Sequence, residues 1–323
     1  MPKVSVVVPN YNHSRFLRKR IDSVIQQTFQ DFELILLDDC STDDSRSILS
    51  TYAGNPRVRI EFNETNSGST FKQWNKGVRL ARGEYVWIAE SDDYADERLL
   101  ERLVRVLDEE PKAAFAYCRS WLVSAHDQVD GYADLYLDRL DRERWKTDFC
   151  VDGVEVCRKY FVYTNPVPNA SAVVFRKAIY HEVGGADENL RLCGDWKLWA
   201  SMALTGEMAH VAQPLNYFRF HSSSLRNKSA EANADVIEYI KVMRWVLDQV
   251  KPTRAAVDQL GRTIADMWVP VVMSLHVPLS TKRSIVQSVW EIDPNPLRRI
   301  VRPILATIWL KLLRHLRAVI SRA

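Results

Sequence analysis

Three short apolar runs, each followed directly by polar residues, place the strongest constraint on the fold. They lie at Val4–Val8, Phe32–Leu37 and Glu84–Ala89. Runs of this length predict strands that are buried on both faces of a parallel sheet. Segments with helical periodicity lie between the second and third runs, at 43–53 and 70–81, and after the third, at 98–109. Strands that alternate with helices in this way predict βαβ units, and therefore an α/β fold with a mostly parallel sheet.

The remaining elements are predicted from periodicity and cap signals. The first helix carries Phe16, Leu17 and Ile21 at helical spacing, and Ser14 is its predicted N-cap. Further strands are predicted at Val58–Phe62, Ala113–Tyr117 and Ala170–Phe175, and helices at 231–250 and 253–275. The stretch 119–150 is polar and shows no clear period.

A chain of 323 residues is long enough for a large α/β domain with an appendage, or for two domains. The pattern predicts an α/β domain over 1–225, a helical extension over 226–290 and a basic C-terminal helix over 291–323. The five cysteines are odd in number and no pair has C-x-x-C spacing, which favours reduced thiols in a cytoplasmic protein. Lys3 is followed directly by a strand pattern, so no signal peptide is expected. No uncharged apolar run approaches the roughly 20 residues that span a bilayer.

The positive charge is concentrated at one end of the chain. Seven Lys or Arg residues and no acidic residue lie between 297 and 323, whereas the net charge of the whole chain is only +3. This distribution argues against nucleic acid as the main partner. Apolar residues recur at helical spacing across 297–320, with the basic residues between them. Segment 297–322 is therefore predicted to lie on an anionic membrane surface, the alternative being a helix packed on protein.

The three polar clusters that follow the strands are the candidate site. They are Pro9–Asn12, Asp38-Asp39 and Glu90–Asp93. Each alone is also an ordinary turn signal. Because open parallel sheets bind ligands at the carboxyl ends of their strands, the three clusters are expected to meet at one edge. Five carboxylates at one edge repel each other unless a cation lies among them, and Mg²⁺ or Mn²⁺ with a nucleotide diphosphate meets that need.

The motifs around these clusters resemble those of the family 2 glycosyltransferases. The matching runs are VSVVVPNYN at 4–12, QTFQDFELILLDDCSTD at 27–43, NSG at 66–68, NKG at 75–77, ARGEY at 81–85 and ESDD at 90–93. The resemblance covers roughly 3–225, about two thirds of the chain. It implies the GT-A fold, a Rossmann-like nucleotide-diphospho-sugar transferase architecture, and an inverting reaction.

The resemblance also implies a nucleotide pocket. The residues expected to line it are Pro9, Asn10, Tyr11, Asn12, Asp38, Asp39, Asn66, Gly68 and Asp92. In this family Asp38 would face the base and Asp39 would lie near the ribose. A pyrimidine N–H could donate to Asp38, and a UDP-sugar is therefore the favoured donor.

The D-x-D element of the family corresponds to Glu90–Asp93, and it implies metal ligands. The expected set is Asp92, Asp93, Glu90 and His221, with Mg²⁺ or Mn²⁺ as the cofactor. Glu90 stands where the family usually has Asp, and its longer side chain puts the geometry at that position in question. His221 belongs to the run YFRFHSSS at 217–224, which resembles a family element. The alternative for His221 is a purely structural role. Arg219 either neutralises phosphate or pairs with an acid.

The run GGADENLRLCGDW at 184–196 resembles the acceptor side of the family, where an Asp serves as general base. That residue would be Asp195, while Gly194 replaces the usual Glu. The alternative for Asp195 is the N-cap of the helix that follows. The segment Asn165–Asn169 either borders the acceptor pocket or is a rigid loop.

These features together predict an inverting glycosyltransferase. It would move a sugar from a nucleotide diphosphate to a hydroxyl of a glycan or lipid-linked glycan, at the inner face of a bacterial membrane. A Rossmann oxidoreductase is disfavoured because no G-x-G-x-x-G occurs, and an aspartyl phosphatase because Cys40 follows Asp38-Asp39. The alternative that stays open is a catalytically inactive scaffold that binds nucleotide sugars.

Overall fold

A computed structural model describes residues 1–292 apart from 134–135, 138–139, 222–233 and 275–276. The strands are β1 (Val4–Asn10), β2 (Phe32–Asp38), β3 (Val58–Phe62), β4 (Tyr85–Ile88), β5 (Tyr94–Ala95), β6 (Ala113–Val123), β7 (Val129–Tyr132), β8 (Phe149–Asp152), β9 (Val173–Arg176) and β10 (Glu207–Arg219). The α-helices are α1 (Ser14–Ile25), α2 (Ser45–Ser50), α3 (Thr70–Leu80), α4 (Leu99–Glu109), α5 (Gly153–Val156), α6 (Lys177–Glu182), α7 (Gly194–Ala203), α8 (Ala234–Gln249), α9 (Arg254–Met273) and α10 (Leu279–Ile292).

In the described part of the chain all ten strands belong to one sheet. Its order is β3-β2-β1-β4-β9-β6-β10-β5, with β7 beside β6 and β8 beside β10. The first four strands are parallel, whereas β9 runs antiparallel to both of its neighbours. The predicted α/β fold with a parallel core is therefore confirmed, and the sheet becomes mixed beyond β4.

Most predicted strand and helix positions agree with the structure, and two differ in an instructive way. The strand predicted at Ala113–Tyr117 continues to Val123 because β6 pairs with β7, β9 and β10 along its length. The strand predicted at Ala170–Phe175 begins with a 3₁₀ turn at Ala170–Ala172. The strands that pair with both segments come from distant parts of the chain, so the local periodicity of either segment does not indicate where its strand begins or ends.

The predicted N-cap at Ser14 is wrong. Helix α1 begins at Ser14 itself, and His13 occupies the N-cap position without a side-chain cap. The backbone N–H of Ser14 donates to Asp43 Oδ2 at 2.9 Å instead. A carboxylate from the loop after β2 therefore accepts from a backbone N–H at the start of α1, where the acceptor is usually a side chain close in sequence.

Helices cover both faces of the sheet. On one face, apolar residues of α1 and α4 pack against β1, β2 and β4 in a single buried cluster. On the other face, α3 approaches β1 so closely that a Cβ at Gly77 would lie 2.2 Å from a methyl of Val7. Trp74 of α3 contacts Trp199 of α7 at a ring-centroid distance of 6.3 Å. Both layers fix the sheet, so the carboxyl ends of β1, β2 and β4 are held in a fixed relation.

The chain divides into two compact units. The first comprises Met1–Cys157 with the described part of Asn165–Asn227. The second comprises Arg158–Thr164 with the described residues after 227, among which α8, α9 and α10 pack together. Arg158 joins the helical unit through its Nε–H, which donates to the Lys251 carbonyl at 2.8 Å. The predicted boundary at 225 and the predicted helix over 297–322 lie outside the described residues.

All five cysteines are free thiols in the structure. Among the described helices, none combines the length and the apolar character needed to cross a membrane.

Candidate active site

The carboxyl ends of β2, β1 and β4 lie side by side at one edge of the sheet. Asn10 at the end of β1 is the register partner of Asp38 at the end of β2. The Asn10 Nδ2 group donates to Asp38 Oδ1 at 3.1 Å. Strand β4 pairs with β1 on its other side, and Glu90–Asp93 follows directly. The expected meeting of the three polar clusters is therefore present.

The two acids at the carboxyl end of β2 are both engaged by protein donors. Asp38 has no exposed side-chain surface, and its Oδ2 accepts from the Ser41 N–H and from Arg46 Nε, each at 3.0 Å. Asp39 Oδ1 accepts from Asn63 Nδ2 and Gln73 Nε2 at 2.6 and 2.9 Å. These bonds fix the loop after β2. The predicted contacts of Asp38 with a base and of Asp39 with a ribose stay predictions.

Other predicted nucleotide residues surround this loop. Pro9 lies within buried β1, while Tyr11 is 47% exposed at the edge. The Asn12 Oδ1 atom accepts the Thr42 N–H at 2.7 Å, and Asn66 Nδ2 donates to the Asp39 carbonyl at 2.9 Å. Gly68 has a φ of 71°, which favours glycine there. An exposed tyrosine beside fixed backbone turns suits the stacking of a base.

The next feature is a group of three side chains that can together hold a metal ion. His13, Asp92 and His221 each place one ligand atom within 4.8 Å of the others. The Asp92 Oδ2 atom and His221 Nε2 are 2.9 Å apart. Both residues belong to the predicted metal set, whereas His13 does not. One carboxylate and two imidazoles are suitable donors for a divalent cation.

Asp93 and Glu90, the other two predicted ligands, face protein donors. Asp93 accepts from the Arg219 N–H at 2.9 Å and from Asn169 Nδ2 at 3.1 Å. Glu90 Oε1 accepts from Trp74 Nε1 at 2.6 Å. Neither belongs to the three-residue group, so among the described residues the structure unites Asp92 and His221 but not all four predicted ligands.

A fully buried arginine lies beneath the acids. Arg20 Nε donates to the Glu90 carbonyl at 2.8 Å, and its two terminal nitrogens have no hydrogen-bond partner among the residues that the structure describes. Burial lowers the pKa of Arg20 to about 10, against the raising effects of Asp93 and Asp92. The side chain is therefore cationic at neutral pH, and it offsets part of the negative charge of the cluster.

The three acids differ in their protonation tendency. Burial and the charge of Asp92 raise the pKa of Glu90 to about 8 and that of Asp93 to about 6. Burial alone would raise the pKa of Asp92 as well, but the hydrogen bond with His221 and the nearby His13 hold it below its usual value. Asp92 is therefore the acid of this cluster that keeps its charge most readily.

Arg219 pairs with an acid, which was one of its two predicted roles. Its side chain forms an ion pair with Asp127 and donates from Nε to the Asp92 carbonyl at 2.7 Å. Its backbone N–H donates to Asp93. Arg219 therefore positions the backbone of Asp92 and the carboxylate of Asp93.

Asp195 lies in the first turn of α7, whose N-cap is Cys193, so the alternative that Asp195 is the N-cap is wrong. Asp195 Oδ2 lies 3.3 Å from Asn165 Nδ2. Asn169, at the other end of the same segment, donates to Asp93. Segment Asn165–Asn169 therefore connects the predicted general base with the acids that follow β4.

The glycine at 194 has a steric cause. A Cβ at this position would lie 2.5 Å from the Phe71 ring of α3. We expect Gly194→Glu, which introduces the usual family residue, to lower the free energy of unfolding by about 1–3 kcal/mol or more. Chemical denaturation measures this loss, with Gly54→Glu as the matched control because nothing lies within 4 Å of its Cβ position. Equal stability of the two variants would contradict the steric explanation.

Sequence reasoning missed His13, Arg20 and the connecting role of Asn165–Asn169. A signal existed for His13, since it directly follows the Pro9–Asn12 cluster. For Arg20 the available signal was a charged residue at a buried position of the amphipathic helix α1.

The parallel sheet, its polar carboxyl edge and the Asp92 group define an α/β nucleotide-sugar domain of the GT-A class. Residues 5–160 match the family model described as glycosyl transferase family 2. This match, over about half of the chain, confirms the resemblance that the motifs at 4–12, 27–43 and 90–93 predicted.

Two curated relatives illustrate the similarity. Glycosyltransferase GlyG of Streptococcus pneumoniae is 37% identical over 154 residues, which is 47% of each protein. The poly(ribitol-phosphate) beta-N-acetylglucosaminyltransferase TarS of Staphylococcus aureus is 35% identical over 111 residues, 34% of this chain and 19% of TarS. The chain thus spans about half or less of these relatives.

Solved structures share the fold over a longer stretch. S. aureus TarS 1-349 in complex with UDP-GlcNAc has a TM-score of 0.69 at 20% identity, over 90% of this chain and 80% of that one. The mannosyltransferase PcManGT from Pyrobaculum calidifontis, in complex with GDP-Man and Mn²⁺, has a TM-score of 0.58 at 15% identity, over 96% and 88%. The predicted GT-A fold is confirmed.

Proposed function

We propose that this protein transfers a sugar from a nucleotide diphosphate, with a UDP-sugar favoured, to an acceptor hydroxyl with inversion at the anomeric carbon. The observation that supports this best is the joint position of Asp92, His221 and the two engaged acids of β2 at one sheet edge, in a family 2 domain. The TarS structure with UDP-GlcNAc supports the choice of donor.

The donor set at Asp92 fits a divalent cation, because an ionised carboxylate lies 2.9 Å from an imidazole nitrogen. Asp92 and His221 would hold this ion, and a bound cation would supply charge stabilisation to the departing diphosphate. A fold relative binds Mn²⁺ with its GDP-Man. Arg219 supports the site by fixing the Asp92 carbonyl.

Asp195 is the proposed general base. It would take the proton from the acceptor hydroxyl while the hydroxyl attacks the anomeric carbon from the face opposite the diphosphate. Asn165 orients its carboxylate through the contact at 3.3 Å. One displacement with one base needs no covalent enzyme intermediate, which is the basis for proposing inversion.

The acceptor proposed here is a glycan or a lipid-linked glycan. This proposal is supported by two bacterial relatives, GlyG, which is named a glycosyltransferase, and TarS, which is named a poly(ribitol-phosphate) beta-N-acetylglucosaminyltransferase. The predicted basic segment 297–322 would bring the protein to an anionic membrane surface from the cytoplasmic side.

The alternative of an inactive scaffold has little support from the residues. Gly194 has a steric explanation, and Glu90 accepts a hydrogen bond from Trp74, so neither departure from the family removes a proposed catalytic group.

We expect one nucleoside diphosphate to raise the melting temperature of the protein in the presence of Mn²⁺. A ligand at about 100 times its Kd stabilises the native state by about 2.7 kcal/mol. Thermal unfolding with UDP, GDP, ADP and CDP, each with and without Mn²⁺, measures this effect and identifies the base. The matching nucleoside monophosphate is the control, since it lacks the second phosphate. Absence of a shift with every diphosphate would contradict the proposed donor site.

A further inference from the structure

We propose that His13 is a third protein ligand of the metal, so that the site is a two-histidine, one-carboxylate centre that prefers a first-row transition metal ion to Mg²⁺. This inference rests on the proposed function, and it adds a ligand and a metal preference to it.

The three side chains come from three separate parts of the chain. His13 directly precedes α1, Asp92 follows β4, and His221 follows β10. Their ligand atoms nevertheless lie within 4.8 Å of one another. Asp92 Oδ2 and His221 Nε2 are hydrogen-bonded at 2.9 Å, so these two ligand atoms are already close enough to contact one ion.

The orientation of His13 is set by a neighbour. Its Nδ1 atom lies 2.8 Å from the Ser91 Oγ, and Ser91 is 1% exposed. When Nδ1–H donates to this hydroxyl, the Nε2 atom carries the lone pair that a metal requires. Metal-binding histidines usually have such a partner on the other ring nitrogen.

The two remaining acids of the cluster are held elsewhere. Asp93 accepts from the Arg219 N–H and Asn169 Nδ2, and Glu90 accepts from Trp74 Nε1. Among the described residues, the side chains grouped with Asp92 are therefore two imidazoles and no further carboxylate. This composition distinguishes the site from one built for Mg²⁺, which prefers oxygen ligands.

The chemistry of the set determines the metal class. Two imidazoles and one carboxylate suit Fe²⁺, Co²⁺ or Zn²⁺, and they bind Mn²⁺ through nitrogen as well as oxygen. A metal ion held by these three side chains would keep room for oxygen ligands from a diphosphate or from water. The same ligand set therefore provides both the metal preference and room for the donor.

The test is pulsed EPR of the full chain loaded with Mn²⁺ alone. We expect nitrogen couplings from two imidazoles in the natural protein and from one in His13→Gln. We also expect the affinity for Mn²⁺, measured by EPR titration, to fall about tenfold or more in that variant, since even partners of metal ligands contribute about 10–100-fold. Mg²⁺ should compete with Mn²⁺ at least about tenfold less well than Co²⁺ does.

His126→Gln is the matched control, because His126 is exposed in the β6–β7 turn and lies outside the group. A Mn²⁺ spectrum without nitrogen couplings, or unchanged Mn²⁺ affinity in His13→Gln, would overturn the inference. If His13→Gln does not fold, the nitrogen count of the natural protein decides. Nucleotide binding with Mn²⁺ and coupling from only one imidazole in the natural protein would refute the role of His13 alone, whereas metal binding without any nucleotide binding would refute the proposed function.

Discussion

Replacement of Asp195 by Asn should lower the turnover of the transferase by about 10²–10⁴-fold, the range that a general base contributes. Asn has the shape of Asp and still accepts the Trp196 N–H through its carbonyl oxygen, a bond of 2.7 Å in the natural protein. It does not accept a proton from the acceptor hydroxyl at neutral pH. The loss should therefore appear in kcat, measured by release of nucleoside diphosphate at saturating acceptor.

Donor binding separates this role from a structural one. We expect the nucleotide-dependent rise in melting temperature to be the same in Asp195→Asn and in the natural protein, because Asp195 is not a member of the His13, Asp92 and His221 group. Asp187→Asn is the matched control, since this acid of the same segment forms an ion pair with Lys197 at 2.6 Å. An Asp195→Asn variant that kept most of its activity, or that lost no more than Asp187→Asn, would exclude Asp195 as the base.

The edge of the sheet was predictable because each of its determinants is local. Val4–Val8 and Phe32–Leu37 are buried strands by composition alone, and parallel neighbours necessarily place their carboxyl ends together. The acids that follow β2 and β4 were therefore placed correctly without any knowledge of distant contacts.

The details that escaped prediction all depend on partners far apart in sequence. His13 was missed because its relation to His221 arises only when β10 returns to the sheet beside β6. Ser14 was assigned as a cap because the sequence does not show that Asp43 reaches its N–H. Gly194 looked like a lost acid, whereas the Phe71 ring of α3 occupies the space that a side chain would need.

The two neighbouring acids after β4 should respond differently to the same substitution. We expect Asp92→Asn to lose metal-dependent nucleotide binding and to lower activity by roughly a hundredfold or more, as about 3 kcal/mol of charge stabilisation implies. The cause of both losses is the removal of an anionic ligand beside His221. The Asp92 side chain is only partly buried, at 19% exposure. The Asp92→Asn variant should therefore retain its fold. EPR titration with Mn²⁺ measures metal binding, and unfolding without metal measures the stability of the variant.

Asp93→Asn should instead lower stability while the folded protein keeps its affinity for Mn²⁺. Asp93 is 1% exposed and accepts from the Arg219 N–H and Asn169 Nδ2. An amide in its place would direct an N–H group at the Asn169 donor, and Asn169 cannot turn without losing the bond that its oxygen accepts from Asn216. A buried donor without an acceptor costs about 1–3 kcal/mol. A folded Asp93→Asn variant that lost metal binding as severely as Asp92→Asn would show that Asp93 is a metal ligand. The assignment of the metal to the His13, Asp92 and His221 group would then be wrong.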